Sequence, residues 1–89
     1  FKDAALYPAP LNREEALHMI QSLKGYKLLS GYRGGKEGDV EALADLVVQV
    51  AGYAAENKDT LAELDINPVF VYPKGEGVAM ADALIVKRR

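Results

Sequence analysis

The chain has 89 residues and a mass of 9.7 kDa, 49% hydrophobic and 27% charged, which suffices for one small core and excludes a second full domain. Its 11 Lys and Arg against 13 Asp and Glu give a net charge of −2 and a pI of about 5.3, so the general basic field that nucleic-acid binding by counterion release requires is missing. There is no cysteine, hence no disulfide, thiolate nucleophile or cysteine-based zinc site, and no apolar run approaches the roughly 18 residues of a membrane span.

The first residue is Phe1 rather than Met, inside a strand-like stretch, and the chain therefore reads as a cut piece of something longer. Lys2 to Tyr7 is expected to be a strand, because Pro8 and Pro10 force extended backbone and stop a helix before them. Asn12 is placed to cap a helix, with Glu15 three residues on to complete a capping box and Leu11 to staple its start. Leu17, Ile20 and Leu23 or Lys24 then share one face, and Gly25 is expected in the C′ position. Tyr26 to Gly38 holds Gly31, Gly34, Gly35 and Gly38 and reads as a loop.

Asp39 can cap the next helix, Asp39 to Ala55, which carries Val40, Leu43, Val47, Val50 and Ala54 at spacings of three and four. A stripe that wide should lie against a sheet. Asn57 to Thr60 is polar and turn-forming and ends the helix. Two apolar runs, Leu64 to Tyr72 and Val78 to Val86, flank Pro73-Lys74-Gly75-Glu76-Gly77 and are expected to form an antiparallel hairpin.

The stretch Glu63-Leu64-Asp65-Ile66-Asn67-Pro68 carries the chemistry. Alternation on a strand puts Glu63, Asp65 and Asn67 on one face. A turn centred on Gly75 and Glu76 pairs Tyr72 with Ala79 and Val69 with Asp82, which sets Asp82 on that face and diagonal to Asn67. Oxygen donors of this kind suit Mg²⁺, which usually takes one or two carboxylates and completes its shell with phosphates and water. A solvated sheet face produces the same alternation without any ligand. Pro68 adds to the functional reading, since proline in a strand marks an edge or a bend.

These residues carry a resemblance. Leu64-Asp65-Ile66-Asn67-Pro68-Val69 followed by Ala81-Asp82-Ala83, together with Pro10-Leu11, Gly31-Tyr32-Arg33-Gly34 and Asp39-Val40-Glu41-Ala42-Leu43-Ala44, resembles the C-terminal part of the ATP-grasp module of nucleoside-diphosphate-forming acyl-CoA synthetases. The relatives in view are ADP-forming acetyl-CoA synthetase and, more distantly, the beta subunit of succinyl-CoA synthetase. The resemblance implies an α+β fold, a mainly antiparallel sheet with one covering helix, in which residues 1–89 are the second part of a nucleotide-binding domain. It implies Mg²⁺ and ATP or ADP as cofactors, with Asn67 and Asp82 as magnesium ligands and Asp65 as a further ligand or orienting group.

The same resemblance implies a cytoplasmic enzyme that interconverts acid, CoA and ATP with acyl-CoA, ADP and phosphate through an acyl phosphate and a phosphohistidine. The partners are nucleotide and the rest of the synthetase with its CoA-binding domains or subunit; neither nucleic acid nor membrane is expected. On this view the 89 residues alone are inactive, because the first half of the nucleotide pocket lies elsewhere. Two alternatives from other classes are a regulatory or interaction module that kept the fold without the chemistry, and a sheet face that pairs with another subunit.

Arg33 stands in a glycine-rich loop that could bring a guanidinium and backbone N–H groups to a phosphate, or could tie backbone carbonyls. His18 is the only histidine and sits mid-helix without a glycine turn beside it, which favours a structural or exposed role over phosphorylation.

Overall fold

A computed structural model of the chain describes residues 10–31, 35–66 and 68–88. In order these form α1 (Arg13–Gln21), α2 (Tyr26–Leu29), α3 (Val40–Glu56), β1 (Leu61–Ile66), β2 (Val69–Val71), β3 (Val78–Met80) and β4 (Ala83–Lys87). The class is α+β, as expected. The strand expected over Lys2 to Tyr7 lies outside the described residues.

The start of α1 follows from its sequence. Asn12 Oδ1 accepts the Glu15 N–H at 2.8 Å and Glu15 Oε1 accepts the Asn12 N–H at 3.1 Å, so two of the helix's orphan donors are satisfied reciprocally. The end differs from expectation. Helix α1 stops at Gln21, and Gly25 is the N-cap of α2 rather than the C′ residue of α1. Ser22 is the cause: its N–H bonds the His18 carbonyl at 3.1 Å and its Oγ bonds the Met19 carbonyl at 2.6 Å, closing the helix before the glycine is reached. Helix α2 occupies part of the expected loop, because Tyr26 and Leu29, three apart, both pack against the core.

Helix α3 matches expectation within a residue at each end. Asp39 caps it by accepting the Ala42 N–H at 3.0 Å, and Asn57 closes it by donating to the Tyr53 carbonyl from both its N–H, at 3.1 Å, and its side-chain amide, at 2.9 Å. The core forms where α1 crosses α3, around Ala16, Ile20, Leu43 and Ala44. Ala16 and Ala44 are fully buried, and their small side chains let the two helices approach closely. On the solvent side Arg13 forks to Glu41 and Asp45, one turn apart on α3.

The strands form two separate two-stranded antiparallel ladders, β1 with β4 and β2 with β3, in place of one continuous hairpin. Pro68 sits at the break between β1 and β2, where it has no N–H to give a ladder, although its carbonyl still accepts the Ala81 N–H at 3.0 Å. The register also differs. Val71 pairs with Val78 and Val69 with Met80, not Val69 with Asp82, and in the other ladder Asp65 pairs with Leu84.

The turn explains the shift. Tyr72 N–H bonds the Gly77 carbonyl and Glu76 N–H bonds the Pro73 carbonyl, so the bend is centred on Lys74 and Gly75. Gly75 takes φ +87° at the third turn position, where glycine is favoured. Moving the centre by one residue moves each cross-strand partner by two, which leaves every side chain on its expected face.

Covering of the sheet by α3 holds for one ladder only. Val69, Val71 and Val78 of β2 and β3 pack on the α1–α3 core. Between α3 and β1 there is instead an open apolar groove of about 540 Å³, lined by Val47, Val50 and Ala54 on one side and Leu61, Leu64 and Ile66 on the other. Every described residue of β4 is exposed. Among the described residues no helix is long and apolar enough to cross a membrane.

Candidate functional site

The expected ligands divide between described and undescribed residues. Asn67 and Arg33 lie outside the described residues. Asp65 projects from β1 and is exposed, opposite Leu84 of β4. Asp82 is exposed in the two-residue link between β3 and β4, two residues before Leu84. The observed register pairs Asp65 with Leu84 and ends at Ile66 and Ala83, with Asp82 just outside the ladder, where the expected register had it diagonal to position 67.

The donor set fits a hard cation. Asp82 Oδ1 accepts the Ala83 N–H at 2.8 Å, which holds the carboxylate at the strand break and leaves Oδ2 available. Asp65 has no ion pair among the described residues. Two carboxylate oxygens, with water and phosphate to complete six, match the way Mg²⁺ is held beside nucleotides. Among the described residues no group of three or more His, Cys, Asp or Glu converges as a self-sufficient metal cage, and two carboxylates with outside ligands are what phosphate-linked Mg²⁺ uses.

The loop that carries Arg33 is pinned at its base. Gly38 N–H bonds the Leu29 carbonyl at 2.7 Å, Lys74 N–H bonds the Glu37 carbonyl at 2.8 Å, and Asp39 N–H bonds the Tyr72 carbonyl at 2.8 Å. Gly38 and Pro73 form an antiparallel bridge, so residues 37–39 run along the free edge of β2. His18 is exposed on α1.

One residue does more than its sequence suggested. Asp39 is buried, and besides capping α3 its Oδ2 accepts the N–H groups of Gly77 at 2.7 Å and Gly75 at 3.1 Å. Its acidity is strengthened, first by the Ala42 and Gly77 hydrogen bonds, against the opposing effect of burial. The available signal was the Gly-x-Gly of the turn, which has N–H groups to spare once both glycines adopt positive φ.

Comparison with known proteins decides the family. A profile described as an ATP-grasp domain matches residues 1–86. The chain belongs to the ATP-grasp family. Among curated ATP-grasp relatives, the beta subunit of ADP-forming acetate–CoA ligase II of Pyrococcus furiosus is 40% identical over 85 residues, covering 96% of this chain and 36% of that subunit. ADP-forming acetate–CoA ligase II of Archaeoglobus fulgidus is 41% identical over 99% of this chain, which is 13% of that protein.

Solved structures agree. A Pyrococcus horikoshii protein superposes with a TM-score of 0.89 at 35% identity, over 97% of this chain and 36% of its own. Acetyl-coenzyme A synthetase 1 of Candidatus Korarchaeum cryptofilum, in a complex with coenzyme A and Mg-AMPPCP, superposes with a TM-score of 0.80 at 42% identity, over 90% of this chain and 36% of that one. The chain thus spans about a third of the ATP-grasp subunits it matches.

Proposed function

We propose that these residues are the second part of an ATP-grasp nucleotide-binding domain in an ADP-forming acyl-CoA synthetase, acid + CoA + ATP giving acyl-CoA + ADP + phosphate. The observation that supports the reading is the β1–β4 register, in which Asp65 pairs with Leu84, two residues after the exposed Asp82, in a chain 42% identical to a synthetase solved with Mg-AMPPCP. Asp65, Asn67 and Asp82 hold Mg²⁺. When bound, the ion neutralises phosphate charge and fixes the phosphoryl group for transfer. Asp65 contributes an anionic oxygen from β1, and Asp82 one from the link that leads into β4, the strand paired with β1. Arg33 contributes a guanidinium from its glycine-rich loop to the nucleotide phosphates.

The rest of the synthetase, in the same chain or in another subunit, supplies the other wall of the nucleotide pocket and the CoA-binding parts. The 89 residues alone neither make acyl-CoA nor transfer phosphate. The full-length enzyme works in the cytoplasm on small acids and CoA. The test is ADP binding by the full-length protein with and without Mg²⁺. Binding should depend on Mg²⁺ and be lost in Asn67→Ala and Asp82→Ala; equal binding in both variants would sink the metal assignment and leave a regulatory module that kept only the fold.

A further inference from the structure

Asp39 stands where α3 meets the β2–β3 hairpin. Its side chain is only 7% exposed, yet both oxygens are engaged: Oδ1 with the Ala42 N–H at 3.0 Å, Oδ2 with the Gly77 N–H at 2.7 Å and the Gly75 N–H at 3.1 Å. Gly75 and Gly77 each have φ +87°, and this left-handed backbone lets two N–H groups of one turn converge on a single oxygen. Residues 72–74 bond the backbone of residues 37–39, and the strands themselves meet the core through Val69, Val71 and Val78. Apolar contacts of that kind are non-directional and set no register. The carboxylate latch is directional and, unlike the backbone bonds at residues 72–74, reaches the β3 side of the turn. From Gly77 the chain runs through β3 (Val78–Met80) and reaches Asp82 two residues later, so Asp82 is held by the hairpin on one side and by the β1–β4 ladder on the other.

We infer that Asp39 is a positioning residue for the Asp65–Asp82 pair, holding the β2–β3 hairpin so that Asp82 stays beside Asp65. The inference rests on the magnesium reading above. Asp39→Asn separates this role from helix capping. Asparagine is as good an N-cap as aspartate, so its one carbonyl oxygen stays with the Ala42 N–H. Its amide NH₂ then faces the N–H groups of Gly75 and Gly77, donor against donor, and the latch opens.

The test uses the full-length protein and the Mg²⁺ dependence of ADP binding, measured by calorimetry, with hydrogen exchange at Gly75 and Gly77 followed in parallel. In Asp39→Asn both glycine amides should exchange faster, and half-saturating Mg²⁺ should rise roughly tenfold, as when a supporting partner of a metal ligand is lost, with ADP binding restored at saturating Mg²⁺. Ile20→Val, which loosens the core without touching the latch, should leave half-saturating Mg²⁺ unchanged. Faster glycine exchange with unchanged Mg²⁺ dependence would overturn the positioning role, and unchanged exchange would overturn the latch itself. Asp82→Asn distinguishes the two levels: if it leaves Mg²⁺ dependence unaltered, the magnesium reading fails and this inference with it, whereas a shift in Asp82→Asn alone removes only the role of Asp39.

Discussion

Ile20→Ala probes the contact on which the helical half of the fold depends. Ile20 is 1% exposed, and with Ala16 it is one of two buried residues of α1. Replacing it removes three carbons from a site enclosed by Ala16, Leu43 and Ala44. At about 0.8 kcal/mol per buried methylene the transfer loss is ~2.4 kcal/mol. A cavity adds to this, because two of the three neighbours are alanines with no side chain to move inward, and α1 and α3 are each held by their own caps. The sum of ~3–4 kcal/mol falls within the range of about 2–5 kcal/mol for such truncations. Native-state hydrogen exchange of α1 amides in the full chain is the assay. A loss of ~3 kcal/mol accelerates exchange roughly 100-fold, since about 1.4 kcal/mol is tenfold. Ile20→Val, which removes one carbon, should accelerate it only about tenfold or less. Equal, small accelerations in both variants would refute the assignment of Ile20 to the centre of the core.

Three further outcomes follow from local geometry. Gly77→Ala and Gly75→Ala should each destabilise by about 1–2 kcal/mol through backbone strain alone, because an added Cβ meets nothing within 4 Å at either site. Gly52→Ala should instead stabilise by about 0.5–1 kcal/mol, since Gly52 lies inside α3 and its added Cβ also meets nothing; urea midpoints of the three variants check both signs. Asp39 is more acidic folded than unfolded, so its contribution to stability is complete above the ordinary carboxylate range near pH 4 and is lost as pH falls through its lower folded value. The acid limb of the stability profile should therefore be shallower in Asp39→Asn, with no difference in slope between pH 6 and 8. Arg13→Ala should move the urea midpoint little and progressively less as salt rises, because Arg13, Glu41 and Asp45 are all well exposed.

What the sequence disclosed, and what it withheld, separates by the range of the interaction involved. The Asn12 and Asp39 caps bond backbone groups three residues away, so their geometry is implied by residue order alone. The stop at Ser22 is equally local but ambiguous, since serine and glycine both end helices and only the hydroxyl's bond to Met19 chose between them. Helix α2 depended on Tyr26 and Leu29 finding the α1–α3 core, a tertiary fact that no run of four residues announces. A turn with glycines at two positions admits more than one centre, and the bonds that Asp39 makes to it, from 36 and 38 residues away, are not announced by the turn's own residues.

Strand parity makes the nominated set insensitive to the centre of the turn. A turn that slips by one residue changes partners by two and keeps the face, so the face expected for each residue does not depend on which centre is taken, while the spacing between partners does. Residue type and alternation can therefore nominate the members of a sheet-borne ligand set, while the distances that make them a set come from whatever fixes the turn. In this chain Asp39, buried and outside the proposed ligand set, bonds that turn, and so the proposed metal site and the proposed role of Asp39 are tested on the same protein.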